Sequence, residues 1–356
     1  MTASSFVSRE RAHQAAFHRS DWFDGEPRTD GVVELEDGAI VGPTPFFLPP
    51  EYAAENLFLG IRDQVLAYFK EKDVAWHMET PAGPSNHMLD SQVCCVNFLA
   101  PFMHRPHALE ALLRSIFADV GEAIVVSDDE PYIAFEWIGP KDYLGEWKKE
   151  QPTRGRMVTS ADAAVRFKTS DGRIHLVLIE WKYTESYPGS EDPGAKDMLA
   201  EPGRGKKRRL TYAPLLHASS GPIDLSRVAF EDLFFEPVYQ LMRQQLLASQ
   251  IERHEEDVDL CSVLHISPQA NTALGLITPR QLRVQYEKHD LLQLWPTLLT
   301  HPADGVPRFR SVGTEEIFRS VDWSQFAGMA TWWNYVQDRY AGILGKYKRD
   351  EVRGHG

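Results

Sequence analysis

The hydrophobic pattern along the chain is densest at residues 174–183, Ile-His-Leu-Val-Leu-Ile-Glu-Trp-Lys-Tyr. A continuous apolar run of this length, rich in branched residues and preceded by Asp171-Gly172, predicts a strand covered on both faces. Strand side chains alternate, so Glu180 and Lys182 share a face and Trp181 takes the other. Two alternating stretches precede it, residues 132–138 (carrying Glu136) and 161–168 (carrying Asp162), and both predict strands. Residues 259–266 predict a further strand closed by Pro268. Helical spacing predicts helices over 51–72, over 107–120 with Gly121 as its stop, and over 234–251 with Pro237 in its first turn. Residues 91–98, short and apolar, read as strand or buried turn.

Between these elements the chain is polar. Residues 1–50 read as an arm packed on a larger body, 141–156 as a surface loop, and 184–226 as a long Gly/Pro-rich connection. The segment after residue 267 reads as mainly helical, with Trp323, Trp332 and Trp333 packing a core rather than stacking on bases. The central order is helix, three strands, long loop, helix, strand. An α/β fold follows, its core over residues 85–270, with an N-terminal arm and helix over 1–84 and a helical extension over 271–356.

Whether the acids on neighbouring strands meet depends on one turn. A two-residue Asp171-Gly172 loop would pair Ser170 with Arg173 and set Asp162 across from Trp181, placing the acids on opposite faces. A three-residue loop, Ser170-Asp171-Gly172, pairs Thr169 with Arg173 and therefore Asp162 with Glu180, and puts Gly172 where a left-handed residue is needed. The three-residue loop is predicted. Two carboxylates and a lysine at one sheet edge then offer oxygen ligands for Mg²⁺ or Mn²⁺ and a cation beside an attacking water.

Composition changes this picture little. The 356 residues are 43% hydrophobic and 25% charged, with a formal net charge of −13. That balance excludes a uniformly basic surface but not a local basic groove. The basic cluster Lys206, Lys207, Arg208 and Arg209 in the long connection is the candidate contact for a nucleic-acid backbone. Three cysteines, Cys94, Cys95 and Cys261, make neither a disulfide framework nor a zinc spacing, and no apolar run is long enough to cross a membrane, which fits a cytoplasmic setting. Glu-x-Lys alone carries no weight. Glu146-Trp147-Lys148 repeats the letters without an apolar run before it, and its expected setting is a solvated loop.

Asp162 followed by Glu180-Trp181-Lys182, in this element order, resembles the PD-(D/E)xK nuclease superfamily, the restriction-endonuclease-like fold. Phe135-Glu136-Trp137, Ala161-Asp162, Ile179-Glu180-Trp181-Lys182-Tyr183-Thr184-Glu185 and Tyr239-Gln240-Leu241-Met242-Arg243-Gln244, with the upstream Ser91-Gln92 and Cys95-Val96-Asn97-Phe98, are similar to a bacterial family of predicted restriction endonucleases within it. The likeness spans about residues 85–267; Ala161 stands where the named motif has proline. The resemblance implies an αβββαβ core with a central mixed sheet flanked by helices, and Mg²⁺ (or Mn²⁺) bound by Asp162 and Glu180. It also implies Lys182 orienting the water, with Glu136 a candidate further ligand. Gln240 and Arg243, three apart on one helix face, are candidate nucleic-acid contacts. Ser91, Gln92 and Asn97 read as buried groups that fix a loop.

The leading expectation is a metal-dependent DNA endonuclease of restriction or defence type acting on double-stranded DNA, with a homodimer allowed and no membrane partner. The alternative is a catalytically inactive nucleic-acid-binding or scaffold protein on the same fold. A two-carboxylate glycoside hydrolase using Glu136 and Glu180 is disfavoured by Lys182 and the basic cluster.

Overall fold

The computed structural model describes residues 3–34, 39–192 and 195–345. Two short strands, β1 (Gly31–Glu34) and β2 (Ile40–Thr44), pair as a hairpin near the N-terminus. The other six form one mixed sheet: β3 (Val120–Ile124), β4 (Ile133–Trp137), β5 (Ala161–Thr169), β6 (Ile174–Trp181), β7 (Leu260–Ser267) and β8 (Phe309–Gly313). The order is β3-β5-β6-β7-β8, and β4 also pairs with β5. β3 and β4 share one edge of β5, β3 along its Arg166–Thr169 half and β4 along its Ala161–Val165 half. β6 and β7 run parallel, as do β7 and β8.

Helices cover both faces, as a mixed sheet with parallel strands requires. α1 (Ala3–His18), α2 (Arg62–Glu71), α3 (Ser91–Leu99) and α4 (Pro106–Arg114) precede the sheet strands, and α5 (Gly205–Leu216) and α6 (Val238–His254) form the crossover from β6 to β7. β6 is buried along its length. Val177, Ile179 and Trp181 enter a core with Phe98 of α3 and Leu109 of α4, while Leu176 and Leu178 enter a second core with Met242 and Leu246 of α6. Each such buried side chain contributes roughly 1.5–3 kcal/mol. The first core draws on all three segments read from the sequence pattern, from Phe6 through Trp181 to Trp332 and Tyr340.

The β5–β6 hairpin adopts the three-residue turn. Ala163 lies opposite Ile179 and Lys168 opposite Ile174, the offset that sets Asp162 against Glu180. Thr169 N donates to Arg173 O at 2.8 Å and Gly172 N to Thr169 O at 2.9 Å, with Gly172 at φ +90°.

Elsewhere the structure corrects the sequence reading. Residues 91–98 are not strand but helix α3, capped by Asp90, whose Oδ1 accepts from Val93 N at 2.9 Å. The helix expected over 107–120 ends at Arg114, and Val120 and Gly121 pass into β3, where pairing with β5 overrides helix propensity. Residues 51–72 divide into a 3₁₀ segment, Pro50–Asn56, and α2. The N-terminal arm contains α1, and the C-terminal segment contributes β8 to the sheet. The long connection after β6 holds α5, so the basic cluster lies on a helix and not on a loop.

Candidate active site

Three strand residues and one that follows converge on a cavity of about 1440 Å³ beside the central strand: Glu136 from β4, Asp162 from β5, Glu180 from β6, and Lys182 just beyond β6. α6 forms one wall with Gln240, Arg243 and Gln244, and α5 adds Lys207 and Arg208. Residues between Glu146 and Val158 line the cavity as well, among them Glu146, Lys148 and Arg156.

The strand period delivers Glu180 and Lys182 to one side, and Lys182 Nζ lies 2.6 Å from Glu180 Oε1. Gln244 Nε2 donates to Glu180 Oε2 at 2.9 Å and to Ser160 O at 2.6 Å, tying α6 to both acid-bearing strands. Asp162 Oδ2 accepts from the backbone N–H of Trp181 at 2.6 Å. Burial, reinforced by Glu180, pushes the Asp162 carboxyl well above the usual carboxylate range. Burial works against the Lys182 ammonium, but Glu180 and its other anionic neighbours outweigh it, and the group stays protonated.

Glu136 lines the same cavity in a different state. Its backbone is left-handed, φ +45°, within β4, a conformation that costs a non-glycine residue of order 1 kcal/mol or more. Gln92 Nε2 donates to its Oε1 at 2.7 Å and Ser160 Oγ to its Oε2 at 2.8 Å, and burial raises its carboxyl above the usual range. Among the described residues no three Asp, Glu, His or Cys side chains stand together as a group that could hold a metal ion. Asp162 and Glu180 are thus a facing pair, and Glu136 has both oxygens bonded to neutral donors.

The basic cluster splits because a helix turns successive side chains about 100° apart. Lys207 and Arg208 line the cavity; Lys206 does not, and Arg209 turns to Glu231 at 3.3 Å and to the Phe230 ring. Gln240 and Arg243 both reach the cavity wall. The repeat at 146–148 is not a solvated loop. Glu146 accepts from Thr159 N at 2.5 Å, from Thr159 Oγ1 at 2.8 Å and from the Tyr212 hydroxyl, and it lines the cavity with Lys148. Asn97 is structural, bonded to Phe58 N, Asn56 O and the Tyr340 hydroxyl. Gln92 fixes the 75–77 loop as expected, accepting from His77 N and donating to Ala75 O, and in addition holds Glu136.

Sequence reasoning missed Gln244 and Ser160. Gln244 carried a usable signal, standing one helical turn after Gln240 on a face that meets the sheet; Ser160 carried none before the hairpin register was known.

A mixed sheet flanked by helices, with two acids and a lysine at one end of the neighbouring strands β5 and β6, is compatible with a restriction-endonuclease-like protein. The model of the family described as restriction endonuclease associating with ARP matches residues 11–341, and the chain belongs to that family. Membership places it among proteins with a nuclease role. No curated protein matches the chain, and no solved structure matches it. No described helix is long and apolar enough to cross a membrane.

Proposed function

We propose that this chain is a divalent-cation-dependent DNA endonuclease of restriction or defence type, acting on double-stranded DNA in the cytoplasm. The single observation behind this reading is the facing pair Asp162 and Glu180 with Lys182 closed onto Glu180. The donor set fits a hard cation in part. Two carboxylates across a hairpin, one of them made basic by burial and by its neighbour, are what Mg²⁺ or Mn²⁺ relieves, while Glu136 would join only by releasing Gln92 or Ser160. Bound there, such an ion would supply Lewis acidity toward a phosphodiester oxygen and a more acidic water.

The chain's own residues do the rest. Trp181 N–H orients Asp162 and Gln244 orients Glu180, so neither acid needs to reorganise during reaction. Lys182 keeps its proton and presents positive charge where negative charge develops on phosphorus. Lys207, Arg208, Gln240 and Arg243 line the cavity as the contacts to the nucleic-acid backbone. Lys206 and Arg209, turned from the opening, leave that role. From the family's description, ARP is the second proposed partner.

The test is plasmid cleavage with Mg²⁺, Mn²⁺ or EDTA, beside Asp162→Ala, Glu180→Ala and Lys182→Ala. Cleavage is expected only with metal and only in the parent; three variants that cut like the parent would falsify the assignment. One observation favours the competing reading of an inactive DNA-binding protein, namely that both Glu180 oxygens are already engaged by Lys182 and Gln244. That reading predicts salt-sensitive binding indifferent to chelator, with no cleavage under any metal.

A further inference from the structure

One histidine from outside the sheet opens onto the same cavity as the acids. His77 precedes α3, and its side chain is 67% exposed, whereas the Asp90 side chain against it is 1% exposed. Its Nδ1 lies 2.6 Å from Asp90 Oδ2. A carboxylate has no proton to give, so Nδ1 carries the hydrogen and Nε2 is the ring nitrogen free to serve a ligand. Among the described residues no partner meets Nε2. Asp90 is itself fixed, its Oδ1 accepting from Val93 N at 2.9 Å as the cap of α3.

The pair is tied to the strands that carry the acids. Gln92 Oε1 accepts from His77 N at 2.8 Å, while Gln92 Nε2 donates to Glu136 Oε1 at 2.7 Å. Ser91 Oγ, next to Asp90, donates to Trp181 O at 3.4 Å, and Trp181 stands between Glu180 and Lys182. The hydrogen bond to Asp90 raises the imidazole above its usual range; burial works against this, and the charges of Asp90, Glu185 and Glu136 support it. His87, which faces it, is pushed down to about 4 by burial and stays neutral. His77 therefore holds its second proton further up the pH scale than an ordinary histidine does.

Cutting a phosphodiester leaves an alkoxide unless a proton meets it, and the attacking and leaving oxygens lie roughly in line through phosphorus. Lys182 is closed onto Glu180 and keeps its proton, so the leaving side needs another donor. We propose that His77, oriented by Asp90, is the catalytic acid that protonates the leaving sugar oxygen. The water oxygen bonds to phosphorus and its surplus proton goes to solvent. The bond from phosphorus to the sugar oxygen breaks, and its electron pair takes the proton from Nε2. Nδ1–H stays on Asp90, and the neutral imidazole regains a proton from solvent. The proposal rests on the nuclease reading for the reaction and adds to it a group that binds no cation.

The test uses a duplex in which sulfur replaces the leaving sugar oxygen at the mapped cut site. Parent and His77→Ala cut it in Mn²⁺ beside the ordinary duplex, with circular dichroism confirming that each protein is folded. A thiol is far more acidic than an alcohol and leaves without a proton. His77→Ala is expected to cut the ordinary duplex about 10²-fold more slowly, and the sulfur duplex within about threefold of the parent. The parent's rate on the ordinary duplex should fall as pH rises through the raised histidine range, and that limb should vanish with sulfur. In the metal-free protein, the His77 ring signal in an NMR titration should move at lower pH in Asp90→Asn, which keeps the cap acceptor, than in the parent. Equal losses on both duplexes mean that His77 only holds substrate or structure, and they overturn the proposal. So does a His77→Ala protein that cuts the ordinary duplex like the parent, or a His77 titration unmoved in Asp90→Asn. If the parent cuts neither duplex with any metal, the nuclease reading falls and takes the proposal with it.

Discussion

Glu146-Trp147-Lys148 and Glu180-Trp181-Lys182 are the same three letters, and both reach the wall of one cavity. What differs is the backbone beneath them. On β6 the period of two sends Glu180 and Lys182 the same way, 2.6 Å apart, while Trp181 is driven into the core at 1% exposure. Off the sheet no such period operates. Glu146 is satisfied by neutral donors, the Thr159 N–H and hydroxyl and the Tyr212 hydroxyl, and Lys148 stays exposed with no ion pair among the described residues. Glu146, held by an N–H and two hydroxyls, joins the segment after β4 to a helix; Glu180, held by an ammonium two residues along, is the carboxylate of the proposed catalytic site. The letters are common property, and the strand makes the site.

The largest expected effect tests that distinction. Glu180→Gln keeps the size of the side chain and its acceptor for Gln244 but loses the charge facing Lys182, and it should lower the cleavage rate by about 10²–10³-fold. Glu146→Gln should leave the rate within about threefold. Comparable losses in both would show that the two tripeptides are not chemically distinct.

The tryptophans separate next, in stability. Trp181→Ala removes a fully buried indole packed on Phe98, and should cost about 3–5 kcal/mol. Trp147 is half-buried, and Trp147→Ala should cost less than about 1.5 kcal/mol. Urea midpoints read both at an unchanged slope. A Trp147→Ala midpoint as low as that of Trp181→Ala would mean that the segment around Trp147 is part of the core.

These contrasts also show what was legible in the sequence. The hairpin register was legible as one of two choices: a two-residue and a three-residue turn both accept Gly172 in a left-handed conformation, but only the three-residue turn sets the two acids face to face, and that is the register found. α3 was not, since an apolar run without polar interruptions has no period to distinguish helix from strand. α1 was hidden for a different reason. Its inward stripe is Phe6, Glu10, Gln14 and Phe17, and two of those letters are polar because they meet the buried Tyr183 hydroxyl, Glu10 at 2.8 Å and Gln14 at 3.0 Å. α5 looked like loop because Arg208 and Arg209 find their carboxylates, Glu201 and Glu231, only once the chain has folded. β8, five residues with two exposed, pairs in parallel with a strand some forty positions earlier, and nothing local announces that.

Within the segment between β4 and β5 Glu146 should matter structurally. Glu146→Ala leaves the Thr159 N–H and the Tyr212 hydroxyl without an acceptor, and a buried polar group so stranded costs about 1–3 kcal/mol. Glu146→Gln, which keeps an acceptor oxygen, should recover at least half of that loss in a thermal melt. If alanine and glutamine variants melt together, the charge and not the hydrogen bonding holds the segment down.

The smallest effect belongs to Lys148. It is exposed, it lines the mouth of the cavity, and it carries its charge on a flexible stem. Lys148→Ala should change stability by no more than about 0.5 kcal/mol, since no packed or paired group is removed. On DNA it should weaken binding by about threefold at low salt, a difference that fades as ionic strength rises, because an exposed cation acts through screened attraction. Lys182→Ala should show the opposite pattern, with binding changed little by salt relative to the parent and cleavage lost at every ionic strength. A Lys148→Ala protein whose cleavage defect persists at high salt would place that lysine in the chemistry, and the two tripeptides would then form one site.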